Sequence, residues 1–279
     1  MRVDLHSHST VSDGLDSPAE LVRLMAYAGI SAFALTDHDS FQGLAEARRE
    51  AQMLGIELIS GAEISAHFDD QDDIHILALF VDETDDRLNG QLVIRQEKRR
   101  LRGEEMARRM VAAGYPLDLD AIREEVGEGV WGRPHLARAL VRAGHATDND
   151  DAFARFLQPD KPWYVGSEKW EARDVVRAIR AAGGISSLAH AVWYKKVDVL
   201  ARTLAPEGLD AIEVFHPDHG PAEEARLGHL CRELDLAVTA GSDFHGTPDG
   251  RKRPGGVAGD GEMLGILRAR ARRQSEANG

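Results

Sequence analysis

His6, His8 and Asp13 fall within one short stretch, VDLHSHSTVSDG, that spans residues 3 to 14. In an extended strand alternate residues share a face, so His6 and His8 point the same way and can grip one ion. Asp243 and His245 repeat that spacing in GSDFHG, and His38, Glu63 and His190 stand at the ends of other apolar runs, with His75 inside its own. Imidazole and carboxylate together suit Mn²⁺, Fe²⁺ or Zn²⁺. A thiolate site is excluded, because Cys231 is the single cysteine, and the same fact excludes an internal disulfide framework.

The elements that must position these groups follow from the pattern. SPAELVRLMAYAGI carries Ser17, Pro18 and Glu20, a capping box with a pre-set φ, so a helix starts there and Gly29 ends it. AFALTDHD gives a strand, residues 41–54 a helix stopped by Gly55, and IELISGAE and DIHILALFV two more strands. From about residue 89 a long helical pattern and then short helical segments replace this rhythm. After residue 171 strands ISSLA, AIEVF and AVTAG alternate with helices near 171–182, 197–204 and 221–234. The reading is an α/β chain in three parts: 1–88, a first part of a barrel; 89–170, an inserted small helical domain; and 171–279, the rest of the barrel. Seven short strands, most followed by helices, imply parallel pairing and a closed or nearly closed barrel, with its chemistry where strands end.

Charge narrows the partners. The formal net charge is −13, which argues against a general nucleic-acid or membrane coat. Residues 89–170 hold 14 Lys and Arg against 13 Asp and Glu, so that segment is +1 and the remainder −14. It is the part suited to face an anionic ligand. No charged start leads into an apolar run, and no apolar run approaches about 18 residues, so the expectation is a cytoplasmic protein with no membrane association. Nothing in the sequence calls for an obligate protein partner.

In order and spacing, DLHSHSTVSDG, LTDHD, GAEIS, DIHILAL, LAH and GSDFHG resemble the successive motifs of the PHP (polymerase and histidinol phosphatase) family across almost the whole chain. The resemblance implies a distorted seven-stranded (β/α)7 barrel with two to three divalent metal ions, Mn²⁺ first among them and Fe²⁺ or Zn²⁺ as alternatives. Motif by motif, it implies one ion on His6, His8, Glu63 and Asp243, a second on Glu63, His75 and His190, and a third on Asp13, His38 and His245. The helical insertion, GRPHLARALV within it and LQPDKPWYV at its exit resemble the nucleoside 3′,5′-bisphosphate phosphatases that also act as 5′ to 3′ exonucleases on short RNA. That subgroup implies a phosphate contact from Arg133 and His135. The implied activity is in-line phosphoryl transfer to water acidified by the ions, with Arg133 spreading charge on the phosphoryl oxygens. The partners would be a small nucleotide and short RNA.

Two places depart from the pattern. LAHAVWYKK lacks the proline that usually follows the family's histidine, and Lys195 and Lys196 become candidates for phosphate contact there. EVFHPDH puts His216 at a strand end, a candidate proton donor to the leaving oxygen or a further ligand. Trp163 and Tyr164 read first as packing, with Tyr164 also a candidate base-stacking residue. The run EKRRLR, residues 97–102, reads as a solvated helix face, and residues 246–262 as a loop without a role. Three other activities stay open: a phosphomonoesterase of a substrate such as histidinol phosphate, a C–N hydrolase, and a non-catalytic, metal-stabilised module.

Overall fold

The computed structural model describes residues 1–69, 71–127, 129–166, 170–246 and 252–278. Its first half runs β1 (Arg2–Asp4), α1 (Pro18–Tyr27), β2 (Ala32–Leu35), α2 (Leu44–Leu54), β3 (Glu57–Phe68) and β4 (Gln71–Leu79). Four helices follow: α3 (Asp86–Ala112), α4 (Leu119–Val126), α5 (Arg133–Arg142) and α6 (Asn149–Phe156). The alternation then resumes with β5 (Trp170–Glu171), α7 (Ala172–Ala181), β6 (Ile185–Leu188), α8 (Val197–Leu204), β7 (Ala211–Phe215), α9 (Pro221–Glu233), β8 (Ala237–Ala240), β9 (Gly259–Asp260) and α10 (Gly261–Asn278). Among the described residues no helix is long and apolar enough to cross a membrane.

The strands form one sheet in the order β8-β7-β6-β4-β3-β2-β1-β9, with β5 beside β3. Beyond the last ladder, Leu5 N–H donates to Ala240 O, Asp243 N–H to His6 O and His8 N–H to Phe244 O, each at 2.9 Å. These bonds join the two ends of the sheet into a nearly closed barrel. The seven expected strands are all present, and the two-residue β5 and β9 are additional. One expectation fails: β4 runs antiparallel to both β3 and β6. The reason is geometric, because β3 ends at Phe68 and β4 begins at Gln71. A parallel crossover needs a dozen or more residues, so this connection can only be a hairpin.

Capping follows the sequence closely at α1. The Ser17 side chain accepts from the Glu20 backbone, the Glu20 carboxylate accepts from the Ser17 backbone, and Pro18 is the first helical residue. The longest helix, α3, has a different role. Leu88 and Leu92 near its start are buried in the cluster that includes Ile64, Ile76 and Val175, whereas Met106, Ala107 and Met110 near its end are buried with Trp131, Leu136, Leu140 and Phe156. At 1.5 Å per residue its 27 residues span about 40 Å, enough to tie the sheet to the helical segment. The middle of α3 is thereby held over the strand ends.

Gly241, just past β8, shows how tightly those ends are packed. A Cβ there would stand 2.3 Å from His6 Cβ and 2.7 Å from Glu213 Oε1. We expect Gly241→Ala to lower stability by about 1–3 kcal/mol through overpacking, measured by thermal melting. A melting temperature equal to that of the unsubstituted protein would show that His6 has room to move.

Candidate metal centre

Nine side chains singled out by the sequence converge beyond the strand ends. His6 and His8 follow β1, His38 follows β2, Glu63 and His75 project from β3 and β4, His190 follows β6, and Asp243 and His245 follow β8. Asp13 comes from the loop after β1. Asp39, His190 and Asp243 have φ of 49°, 28° and 48°. These left-handed turns at non-glycine residues cost energy and re-aim the chain just where the strands stop.

Glu63 is at the centre. Its Oε2 lies 3.4 Å from His6 Nε2, 3.2 Å from His8 Nε2 and 3.1 Å from His38 Nδ1, and its Oε1 lies 2.8 Å from His75 Nδ1 and 2.9 Å from His190 Nε2. Asp243 Oδ1 is 3.4 Å from both His6 Nε2 and His8 Nε2, and Asp13 is 3.5 Å from His38 Nε2 and 3.3 Å from His245 Nε2. Ligands on bonds of about 2.1 Å at octahedral or tetrahedral angles stand about 3.0–3.4 Å apart. His6 Nε2, His8 Nε2 and His38 Nδ1 are also buried without a hydrogen-bond partner, although carboxylates stand so near. Their direction suits a shared cation better than the carboxylates themselves. Among the described residues, three overlapping groups could hold an ion: His8, Asp13, His38 and His245; His6, His8 and Asp243; and His38, Glu63 and His75. His8 and His38 each belong to two groups, which the ligand sets implied by the resemblance keep separate.

Surrounding residues aim these rings. Glu213 is buried on β7, with its two oxygens 3.1 and 3.3 Å from His6 Nδ1, and accepts the His190 backbone N–H at 2.7 Å. Tyr194 Oη accepts the His75 backbone N–H at 2.9 Å and sits 3.3 Å from His190 Nδ1. Asp37 accepts from Ser9 N–H, Ser9 Oγ and Ser12 Oγ, fixing the loop that carries Asp13. The His245 Nδ1–H donates to Asp243 O at 2.9 Å, leaving Nε2 toward Asp13. Such outer partners set which ring nitrogen is free for an ion. The sequence reading missed Glu213 and Tyr194, because in EVFHPDH and LAHAVWYKK the neighbouring His216, Lys195 and Lys196 are the groups that stand out.

The centre opens into a cavity of about 800 Å³. Arg133 lines it, as do Arg99, Arg102, Arg138, Trp193 and Lys252. The remaining substrate candidates lie elsewhere. His135 is buried, its Nδ1 accepting the Gly132 backbone N–H at 3.1 Å, and His216 is buried behind Asp243, with Nε2 3.3 Å from Oδ2. Neither borders the cavity, so His216 is placed to position Asp243 rather than to meet a leaving oxygen. Lys195 is exposed outside it, and Tyr164 packs in the helical cluster beneath the Arg102 guanidinium. EKRRLR is not simply a solvated face, since Arg99 and Arg102 line the cavity and Arg99 donates to the buried Asp39 Oδ2 at 2.6 Å. The loop reading of residues 246–262 falls partly outside the described residues, at 247–251; beyond them Lys252 reaches back to Asp243 and lies 5.5 Å from the Trp193 ring centroid.

Electrostatics oppose leaving this centre empty of cations. Burial would raise the carboxyl pKa of Glu63, yet the imidazoles His38, His75 and His6 hold it well below the usual range. Burial likewise opposes a charged His8, but Asp243 and Glu63 outweigh it and raise its pKa to about 9. Burial also works against a charged His6, and Glu213, Asp243 and Glu63 raise its pKa well above the ordinary value. In the ion-free protein both rings therefore carry protons at neutral pH, and an ion must displace them.

A family model for the PHP domain matches residues 4–109. The chain is 35% identical over 248 residues to a 5′-3′ exoribonuclease of Haemophilus influenzae, covering 88% of this chain and 90% of that one. It is 32% identical over 258 residues to a 3′,5′-nucleoside bisphosphate phosphatase of Chromobacterium violaceum, covering 91% and 90%. It is also 31% identical over 262 residues to a phosphoribosyl 1,2-cyclic phosphate 1,2-diphosphodiesterase of Eggerthella lenta, covering 87% and 94%. A crystal structure from Bifidobacterium adolescentis, assigned as a metal-dependent phosphoesterase, superimposes with a TM-score of 0.88 at 29% identity over 96% of each chain.

Two outcomes follow from this geometry. Glu213→Gln leaves the fold intact but weakens ion binding about 10- to 100-fold, since His6 loses the charge that orients it; equal affinity by titration calorimetry would remove Glu213 from this role. Mn²⁺ binding at pH 7 releases about one to two protons, and affinity rises toward pH 9 as His8 deprotonates. Calorimetry in buffers of different ionisation enthalpy measures this, and binding without proton release contradicts it.

Proposed function

The chain belongs to the PHP family, and from that membership we propose that it is a metal-dependent phosphoesterase that removes the 3′-phosphate of nucleoside 3′,5′-bisphosphates and trims short 5′-phosphorylated RNA from its 5′ end. One observation carries the reading: buried, unpartnered imidazole nitrogens of His6, His8 and His38 gather around Glu63, and Glu63 and His38 border a cavity that arginines also line. A phosphoester fits between the two walls.

His6, His8, Asp13, His38, Glu63, His75, His190, Asp243 and His245 would hold two to three divalent ions, of which Mn²⁺ suits the mixed imidazole and carboxylate set, with Fe²⁺ and Zn²⁺ as alternatives. Such ions, when bound, polarise phosphoryl oxygens and lower the pKa of water. The chain's own groups do the rest. Arg133 is the first residue of α5, where free backbone N–H groups also favour an anion. Its planar fork can release Asp73, 3.1 Å away, and take two phosphate oxygens together. Arg138 donates to Asp13 O at 3.1 Å and so holds α5 against the centre. Desolvation lowers the His190 pKa to about 4, so its ring stays neutral at pH 7 and keeps a lone pair for an ion. Residues 89–170 act in this reading as a substrate-binding cap on the barrel formed by 1–88 and 171–279, and the reading takes the enzyme to work in the cytoplasm.

The test is phosphate release by the Mn²⁺-loaded protein from adenosine 3′,5′-bisphosphate, beside AMP, a short 5′-phosphorylated RNA, histidinol phosphate and phosphoribosyl 1,2-cyclic phosphate. Preference for the bisphosphate supports the reading; preference for the cyclic diester transfers the chain to the chemistry for which its Eggerthella relative is named. Arg133→Ala should raise KM for the bisphosphate about tenfold or more with bound metal unchanged. Unchanged kinetics would sink its phosphate role.

A further inference from the structure

We infer that Trp193 is the platform on which the nucleobase of the substrate stacks, an assignment that rests on the nucleotide reading above. The residue lies in LAHAVWYKK, where the chain departs from the family's histidine-proline pattern. His190 turns the backbone there with φ of 28°, and a single 3₁₀ turn, Ala191–Trp193, follows at once. Ala191 and Tyr194, on either side, are buried, and the Tyr194 hydroxyl is used on His75 and His190. Trp193 goes the other way: it lines the cavity and is 51% exposed.

The indole is held in place while it stays accessible. It stacks on the His190 imidazole, with centroids 4.0 Å apart and planes at 27°, and meets His216 edge-on at 5.8 Å. Its backbone N–H donates to His190 O at 3.1 Å, and the Val192 N–H donates to His219 Nε2 at 3.3 Å, so the turn is tied on both sides. The cavity is otherwise lined mainly by charged groups and imidazoles. Among its described lining residues, Phe153 is the other phenyl or indole ring, and it packs against the helical cluster with the Arg133 guanidinium 5.9 Å from its centroid. Tyr164, which the sequence offers for stacking, lies outside the lining. A flat ligand entering this cavity therefore finds its apolar surface on Trp193. Position supports the same assignment, because the indole covers His190, a candidate ion ligand. In a nucleotide the base and the 3′-oxygen leave the ribose two carbons apart, so a base can rest on Trp193 while the 3′-phosphate faces the centre. Lys252 Nζ, 5.5 Å from the indole centroid and bonded to Asp243, adds a cation beside that base. Stacking accepts any base, since every base has a π-face.

The test compares kcat/KM for adenosine 3′,5′-bisphosphate with that for its abasic analogue, in which hydrogen replaces adenine, in the Mn²⁺-loaded protein and its Trp193→Ala variant. The unsubstituted enzyme is expected to prefer the nucleotide, and Trp193→Ala to reduce that ratio about 5- to 100-fold. Any disturbance of His190 by the substitution slows both substrates and cancels in the ratio. Trp193→Phe keeps an aromatic ring on His190, which secures a folded comparison, and its ratio falls less because the smaller ring overlaps less of the base. A preference for the base that survives Trp193→Ala, or equal rates of the unsubstituted enzyme on the two bisphosphates, overturns the platform and leaves the phosphatase reading standing. Failure of the unsubstituted enzyme to release phosphate from either bisphosphate overturns the nucleotide reading and the platform with it.

Discussion

One buried carboxylate, Glu63, faces five imidazoles, and the rest of the molecule is arranged to make that tolerable. Without compensation, a charge so far from water would be neutralised by protonation. Here the surrounding rings hold it ionised, and its two oxygens face different sets, Oε2 toward His6, His8 and His38 and Oε1 toward His75 and His190. A carboxylate divided in this way is suited to join two ions. The left-handed turns at Asp39, His190 and Asp243 and the close approach of Gly241 to His6 are what bring separate strand ends near enough to share it.

The cavity's two walls come from different structural sources. One is the strand ends, rich in carboxylate and imidazole. The other is helical and rich in arginine, and it is held in place because α3 buries its start with the sheet and its end with α4–α6. Arg99 to Asp39 and Arg138 to Asp13 O pin that wall beside the candidate ligands. Phosphate chemistry is favoured by cations on more than one side of the transferred group, and the two walls, arginines on one and candidate ion ligands on the other, come from separate stretches of the chain.

How much was legible in the sequence depended on whether a residue's neighbours gave it away. The seven strands stood out as short apolar runs, and His6, His8, Asp243 and His245 by their alternate spacing at the ends of two of them, whereas the full set of nine ligand candidates came with the resemblance of the successive motifs to the PHP family. The direction of β4 was hidden, since DIHILAL reads the same in a parallel or antiparallel ladder and only the short connection from Phe68 decides it. Glu213 was concealed inside AIEVF, where one acidic residue in a strand looks like a solvent-facing position. Arg99 and Arg102 sit in a run so basic that no periodicity marks which arginines turn inward. Lys252 lay in a stretch of glycine and proline, whose path composition does not predict. Conversely, His135, His216, Tyr164 and Lys195 stood out by resemblance or by their neighbours in sequence but lie outside the cavity lining, His135 and His216 buried, Tyr164 packed in the helical cluster and Lys195 exposed.

The measurement that bears most directly on the metal centre is an anomalous-scattering map from crystals grown with Mn²⁺. Peaks are expected between His6 Nε2, His8 Nε2 and Asp243, and on both sides of the Glu63 carboxylate, with ligand distances of about 2.0–2.3 Å. A map with no anomalous density among these residues, from crystals in which Mn²⁺ is present in excess, would contradict the account and leave the buried imidazole nitrogens without an explanation.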